Sequence, residues 1–255
     1  MGYVIHPSFV APNSADTPIW RYISFTKLVS LLITHELHFA RSDLLGDNFE
    51  GSYTAANVSA RPTAWRAGGI PEARIPDMSK WFETVYRKLG RFTFINCWTA
   101  LNHESVALWN LYSSMTQGVV LRSTFGRLTN SLGASDHVIG AGLVQYIDYD
   151  AEMIPEGSTY NPFLYKRRSY QFESELRALI QEVTAPPEAT LEEAVLTAEG
   201  PSGIRVPVDL NTLLQRIHIA PAAEQWFADL VQSTVDRLAQ GIEVRRSAMK
   251  RDPLY

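Results

Sequence analysis

Cysteine is the scarcest residue here: the 255-residue chain holds one, Cys97. A single thiol cannot build an internal disulfide framework and fits a reducing compartment. Charge of one sign is lacking too. Lys and Arg number 23 against 27 Asp and Glu, a net charge of −4, so there is no cationic excess to bind nucleic acid non-specifically. No run reaches the about 18 consecutive apolar residues of a membrane span. The opening MGYVIHPSFVAPNSADTP lacks a basic cluster followed by an apolar stretch, and His6 stands where an N-myristoylation signal carries Ser or Thr. These absences lead to the expectation of a cytoplasmic protein with no membrane partner.

Familiar catalytic motifs are missing as well. There is no Walker phosphate loop, and Gly140-Ala141-Gly142 lacks the third glycine and following helix that seat a pyrophosphate. No Gly-x-Ser-x-Gly elbow occurs, and the six histidines form no His-Glu-x-x-His arrangement. A zinc site would need scattered ligands. Asp148, Asp150 and Glu152 alternate and could share a strand face, as a cation cluster or as a solvated strand end.

What is present is ordinary globular material, 45% hydrophobic and 11% aromatic, in a chain long enough to bury roughly three quarters of its unfolded surface. Residues 1–18, with three prolines and no helical period, read as an N-terminal arm, laid over the domain or loose. Residues 19–255 read as a single α+β domain. Strands are expected at 19–24, 37–40, 91–99, 118–123, 137–149 (interrupted by glycines), 175–179, 204–208, 216–220 and 242–247. Helices are expected at 25–37 (Leu28, Leu31 and Leu32 in phase, Ser24 as cap), 78–90 (closed by Gly90), 103–115 (capped by Asn102) and 222–240 (Trp226, Leu230, Val235 and Leu238 on one face). The proline- and glycine-bearing stretch 54–80 reads as irregular, a mobile lid or a passive loop, and 184–203 as a loose acidic connection. Regular βαβ spacing is missing, so a central mixed or antiparallel sheet with packed helices is expected rather than a doubly wound parallel one.

A polar and aromatic constellation remains: Trp20, Arg21 and Tyr22 early, Asp47 and Glu50 in a turn-rich loop, Trp98, Trp109 and Tyr112 in the middle, and Lys166, Glu173, Glu175 and Arg177 late. Glu173 and Glu175 would project to one side of an extended segment. Carboxylates that close raise each other's proton affinity unless a cation intervenes, and Arg177 or Arg21 could supply it. Such a group serves equally as a surface ladder, a fold-locking set of ion pairs or an anion site. Trp109 and Tyr112 serve as core or as a ligand platform, and Cys97 beside Trp98 reads as inert packing.

In order and spacing these motifs resemble the bacterial family catalogued as domain of unknown function 2971. The resemblance rests on Ile19-Trp20-Arg21-Tyr22, the turn Gly46-Asp47-Asn48-Phe49-Glu50, Leu108-Trp109-Asn110-Leu111-Tyr112, Gly118-Val119-Val120-Leu121 and Val144-Gln145-Tyr146. It continues through Lys166, Tyr170, Glu173, Glu175 and Arg177 to Val244-Arg245-Arg246-Ser247. Gly46 and Asn48 stand where the family has Asn and Pro, and Ser123 where it often has Phe. The order of an early-strand Arg, a polar loop and a late Glu-x-Glu strand is also similar to ADP-ribosyltransferase-like domains, a likeness of arrangement alone.

That second resemblance implies NAD as substrate, for ADP-ribosyl transfer or NAD hydrolysis, as in toxin or phage-defence effectors. Glu175 or Glu173 would stabilise the oxocarbenium-like charge, Arg21 would fork onto the pyrophosphate, and Tyr22 or Trp109 would stack on a ring. The competing expectation is a non-enzymatic sensor that cages a nucleotide or small anion between Arg21, Lys166 and the aromatics. A third is a structural role, with the charged residues fully paired and no open cleft. A macromolecular acceptor would meet Lys166-Arg167-Arg168 or Arg245-Arg246, short basic runs that carry little nucleic-acid signal.

Overall fold

A computed structural model describes residues 1–183, 188, 191–197 and 200–250. Its strands are β1 (Gly2–Tyr3), β2 (Pro18–Ser24), β3 (Glu36–Arg41), β4 (Thr93–Thr99), β5 (Gly118–Thr124), β6 (Val138–Leu143), β7 (Gln145–Ile147), β8 (Tyr165–Arg167), β9 (Glu175–Gln181), β10 (Gly203–Pro207), β11 (Arg216–Ile219) and β12 (Glu243–Arg246). Its α-helices are α1 (Phe25–Thr34), α2 (Ala55–Ala67), α3 (Ile75–Leu89), α4 (Val106–Tyr112), α5 (Phe125–Leu132), α6 (Leu191–Thr197), α7 (Leu210–Leu213) and α8 (Gln225–Leu238). Ten strands form one sheet in the order β1-β6-β9-β4-β2-β5-β11-β12, with β3 attached to β4 and β10 attached to β3. Its pairings are antiparallel except β1 with β6 and β11 with β12, so the architecture is α+β with a mixed sheet.

The central strands β4, β5 and β9 are buried on both faces along almost their whole length, so the polar residues they carry, Asn96, Ser123, Glu175 and Arg177 among them, are enclosed with the apolar ones. Against them packs α1, burying Leu28, Leu31 and Leu32, with Ser24 accepting the Lys27 N–H at its start. The N-terminal arm is laid over the sheet edge: β1 pairs with β6, Val10 bridges Leu143, the Phe9 ring lies where a side chain at Gly140 would stand, and Phe9 Cβ and the Val10 backbone crowd Gly142. The glycines of β6 thus make room for another segment.

Several local expectations are corrected. Residues 54–80 are not irregular. Thr54 caps α2, Asn57 donates to the Ile154 carbonyl at 2.8 Å, and Arg61 lies 4.5 and 4.0 Å from the Tyr53 and Phe82 ring centres, tying α2 to α3. Gly90 closes α3 at φ −55°, not in a left-handed cap, because the chain continues directly into a 3-10 turn. Ser105, not Asn102, caps α4, accepting the Leu108 N–H. The core face of α8 is Phe227, Ala228, Val231 and Val235, whereas Trp226, Leu230 and Leu238 are exposed. Part of 184–203 lies outside the described residues; within it α6 is helical and β10 begins at Gly203.

Candidate functional site

The sheet forks at its centre. β2 pairs with β4 only through Trp20 and Thr99, and β3 pairs with β4 only at Ala40–Ile95 and Arg41–Phe94. Between those two contacts, Asn96, Cys97 and Trp98 have no strand partner on that side among the described residues, while β9 pairs with all of β4 on the other. Side chains stitch the fork instead: Asn96 donates to the His38 carbonyl at 2.9 Å and Arg21 reaches the same oxygen at 3.5 Å. Over this opening lies a cavity of about 470 Å³ whose walls include Arg21, Tyr22, Asp47, Glu50, Glu173 and Glu175.

One wall is a buried ionic cluster. The Lys166 ammonium sits between the two glutamates, 2.6 Å from Glu173 Oε2 and 3.0 Å from Glu175 Oε2. Lys166 is therefore the cation between the acid pair, where Arg177 or Arg21 was expected. Arg177 donates to Glu175 Oε1 at 2.8 Å and forks onto Glu50 at 2.5 and 2.8 Å. Its remaining reach goes to the Phe163 carbonyl at 2.5 Å. Asp47 accepts from Arg167 at 2.9 Å and Tyr112 donates to Glu173. Four carboxylates thus meet three cations in direct contact.

Burial pulls the Glu175 carboxyl upward, but Arg177 and Lys166 outweigh it and hold the group at about 2. Glu50 goes the other way, because its burial outweighs the pull of Arg177. Tyr112 is pushed up by burial and by Glu173. Glu173 is not on an extended segment. It ends the 3-10 turn Arg168–Glu173, and Ser174 at φ +42° swings the chain into β9. A left-handed serine is uncommon, and here it lets both neighbouring carboxylates reach one ammonium.

Arg21 forms the contrasting wall. Among the described residues it has no carboxylate partner; it leans on the Trp98 ring at 5.9 Å, and burial lowers its pKa to about 10. A part-buried cation without a carboxylate beside it favours an incoming anion, and this guanidinium presents one to the cavity.

The cavity gathers nine of the ten expected residues: Arg21, Tyr22, Asp47, Glu50, Tyr112, Lys166, Glu173, Glu175 and Arg177. Trp109 is not among them. It is fully buried core, packed on Tyr22 at 5.3 Å and donating to Glu104 at 3.2 Å, so it offers no ligand platform. Tyr22 is also locked, its hydroxyl accepting the Ser105 N–H. Tyr112 is the half-open aromatic at this wall. Trp20 and Trp98 of the same constellation line the cavity too, as do Lys27, His38 and Tyr170, which were not singled out as site residues. Tyr170 could have been found from its fixed spacing to Lys166; nothing local marked the others.

The basic runs are largely neutralised: Lys166 is inside the cluster, Arg167 pairs with Asp47, Arg168 with Glu152 and Arg245 with Glu243. Asp148 and Glu152 close a turn on each other's backbone rather than sharing a strand face. Among the described residues no group of His, Cys, Asp or Glu could hold a metal ion, and no helix is long and apolar enough to cross a membrane. Compared with protein-family models, curated proteins and solved structures, the chain matches none.

Proposed function

We propose that the fork cavity binds a nucleotide-class anion and that NAD is its ligand. The observation that carries this reading is Arg21, a guanidinium without a carboxylate partner among the described residues, facing a cavity of about 470 Å³, within the usual size range of small-molecule sites. Arg21 receives the pyrophosphate, where a planar fork is effective. The opposite wall receives the ribose, whose hydroxyls donate to Glu173 and Glu175. Cleavage of the nicotinamide–ribose bond, ending in ADP-ribosyl transfer or hydrolysis, develops positive charge on the ribose. Glu175, held ionised, supplies fixed negative charge for that state and acts as no proton donor. An effector role in toxin action or phage defence belongs to the same proposal.

Retention of the nucleotide without turnover, as in a sensor, is the second reading. Its support is the saturation of Glu175 by Lys166 and Arg177, which spends much of that negative charge within the protein. Calorimetric titration with NAD separates the possibilities. Arg21→Ala is expected to weaken NAD binding about tenfold or more, as loss of a charge-assisted contact does. Glu175→Gln, in protein shown to be folded, is expected to abolish nicotinamide release while retaining binding. Wild-type protein that binds NAD and releases no nicotinamide supports the sensor; wild-type protein that does not bind NAD defeats both.

A further inference from the structure

Adjoining the fork cavity is a second one, of about 210 Å³, that the NAD reading does not use. It shares Arg21, Ile23, Lys27 and His38 with the larger one and is completed by α1, β3, Leu121 and Arg205. Its charge is one-sided. Arg21 comes from β2, Lys27 from α1 and Arg205 from β10, and among the described residues the sole carboxylate in its lining is Glu36, 3.6 Å from Arg205. His38 stands among them on β3; burial first, then Arg21, Arg205 and Lys27, lower its pKa. Like charges brought together from separate elements cost stability unless an anion joins them. The hydroxyl-bearing Ser30 and Thr34 of α1 line the same space.

We infer that this smaller cavity is a phosphate subsite, which receives a phosphate carried by the nucleotide beyond its pyrophosphate. The inference rests on the nucleotide reading of the larger cavity, since Arg21 belongs to both. It narrows the substrate class to a phosphorylated dinucleotide of the NADP kind in preference to NAD. Arg21 grips the pyrophosphate from the fork, and Lys27 and Arg205 close on the additional group from the far side. Lys27 and Arg205 are exposed, so their removal leaves the core intact.

Titration calorimetry at low salt with NAD, NADP and inorganic tripolyphosphate tests this. Wild-type protein is expected to bind NADP about tenfold more tightly than NAD, the scale of one charge-assisted contact. Arg205→Ala, which lies outside the larger cavity, is expected to erode that preference while leaving NAD affinity unchanged, and Lys27→Ala, which lines both cavities, to erode it as well. Equal affinity for NAD and NADP, or a preference that survives in both variants, overturns the subsite and leaves the NAD reading standing. If neither dinucleotide binds, the NAD reading fails and tripolyphosphate decides the subsite. Binding that Lys27→Ala weakens supports it, and no binding overturns it.

Discussion

Lys166 and Arg168 are two positions apart, yet they illustrate how burial sets the worth of an ion pair. The Lys166 ammonium is enclosed with Glu173 and Glu175, each of the three side chains below a tenth exposed. Removing it strands two buried carboxylates beside each other. Lys166→Met is therefore expected to cost about 3–5 kcal/mol, measured by urea unfolding. Arg168 and Glu152 are largely in solvent, and Arg168→Ala is expected to change stability by less than about 1 kcal/mol in the same assay. The alternation of Glu175 and Arg177 was legible in the sequence, since β9 keeps both on one face. That Lys166 would enter between the glutamates was not, because its position depends on the parallel pairing of β7 and β8.

At the scale of elements, β6 and the N-terminal arm depend on each other. A Cβ at Gly140 would lie 2.3 Å from the Phe9 ring, and one at Gly142 3.0 Å from Val10 backbone atoms. Gly140→Val is expected to lift the arm, costing about 1–3 kcal/mol as overpacking does. Hydrogen exchange should then speed up in residues 2–10 while β4 and β9 stay protected. The glycines signalled a departure from a regular strand but not its cause, since the residue filling the gap lies 131 positions earlier. Amphipathic phase identified α1 through Leu28, Leu31 and Leu32. It misassigned the face of α8, whose sequence offers apolar residues on both sides, and only packing against Phe25 selected Phe227. Proline and glycine content made 54–80 look irregular, yet the Arg61, Tyr53 and Phe82 contacts assemble its helices.

For the whole molecule, two distant carboxylates set the acid limit. Burial raises Glu104, but hydrogen bonds from His218, Ser247 and the Ala248 N–H bring it down to about 2, and Glu175 reaches about 2 by its cations. Both lie below the ordinary glutamate value of 4.5. The unfolded chain then binds more protons in this window, so stability rises with pH and falls on acidification. Glu50, raised by burial, works in the opposite sense. Urea midpoints are expected to drop between pH about 4.5 and about 2, with a shallower slope in Glu104→Gln. Glu104 also ties the end of β12 to the sheet core through Ser247 and His218, a link between positions 104, 218 and 247 that no local pattern announced.

By itself the sequence determined the α+β class, the places of the central strands and the set of charged residues available for a site, because these follow from periodicity and residue type within short windows. Tertiary structure alone decided the rest. The divergence of β2 and β3 from β4 opened a hollow where side-chain hydrogen bonds replace a strand ladder. Burial then separated the charges around it, saturating the acids with Lys166 and Arg177 while leaving Arg21 without a carboxylate among the described residues. Counterion pairing is settled by distance and solvent exclusion between remote segments, and neither quantity is written in local order.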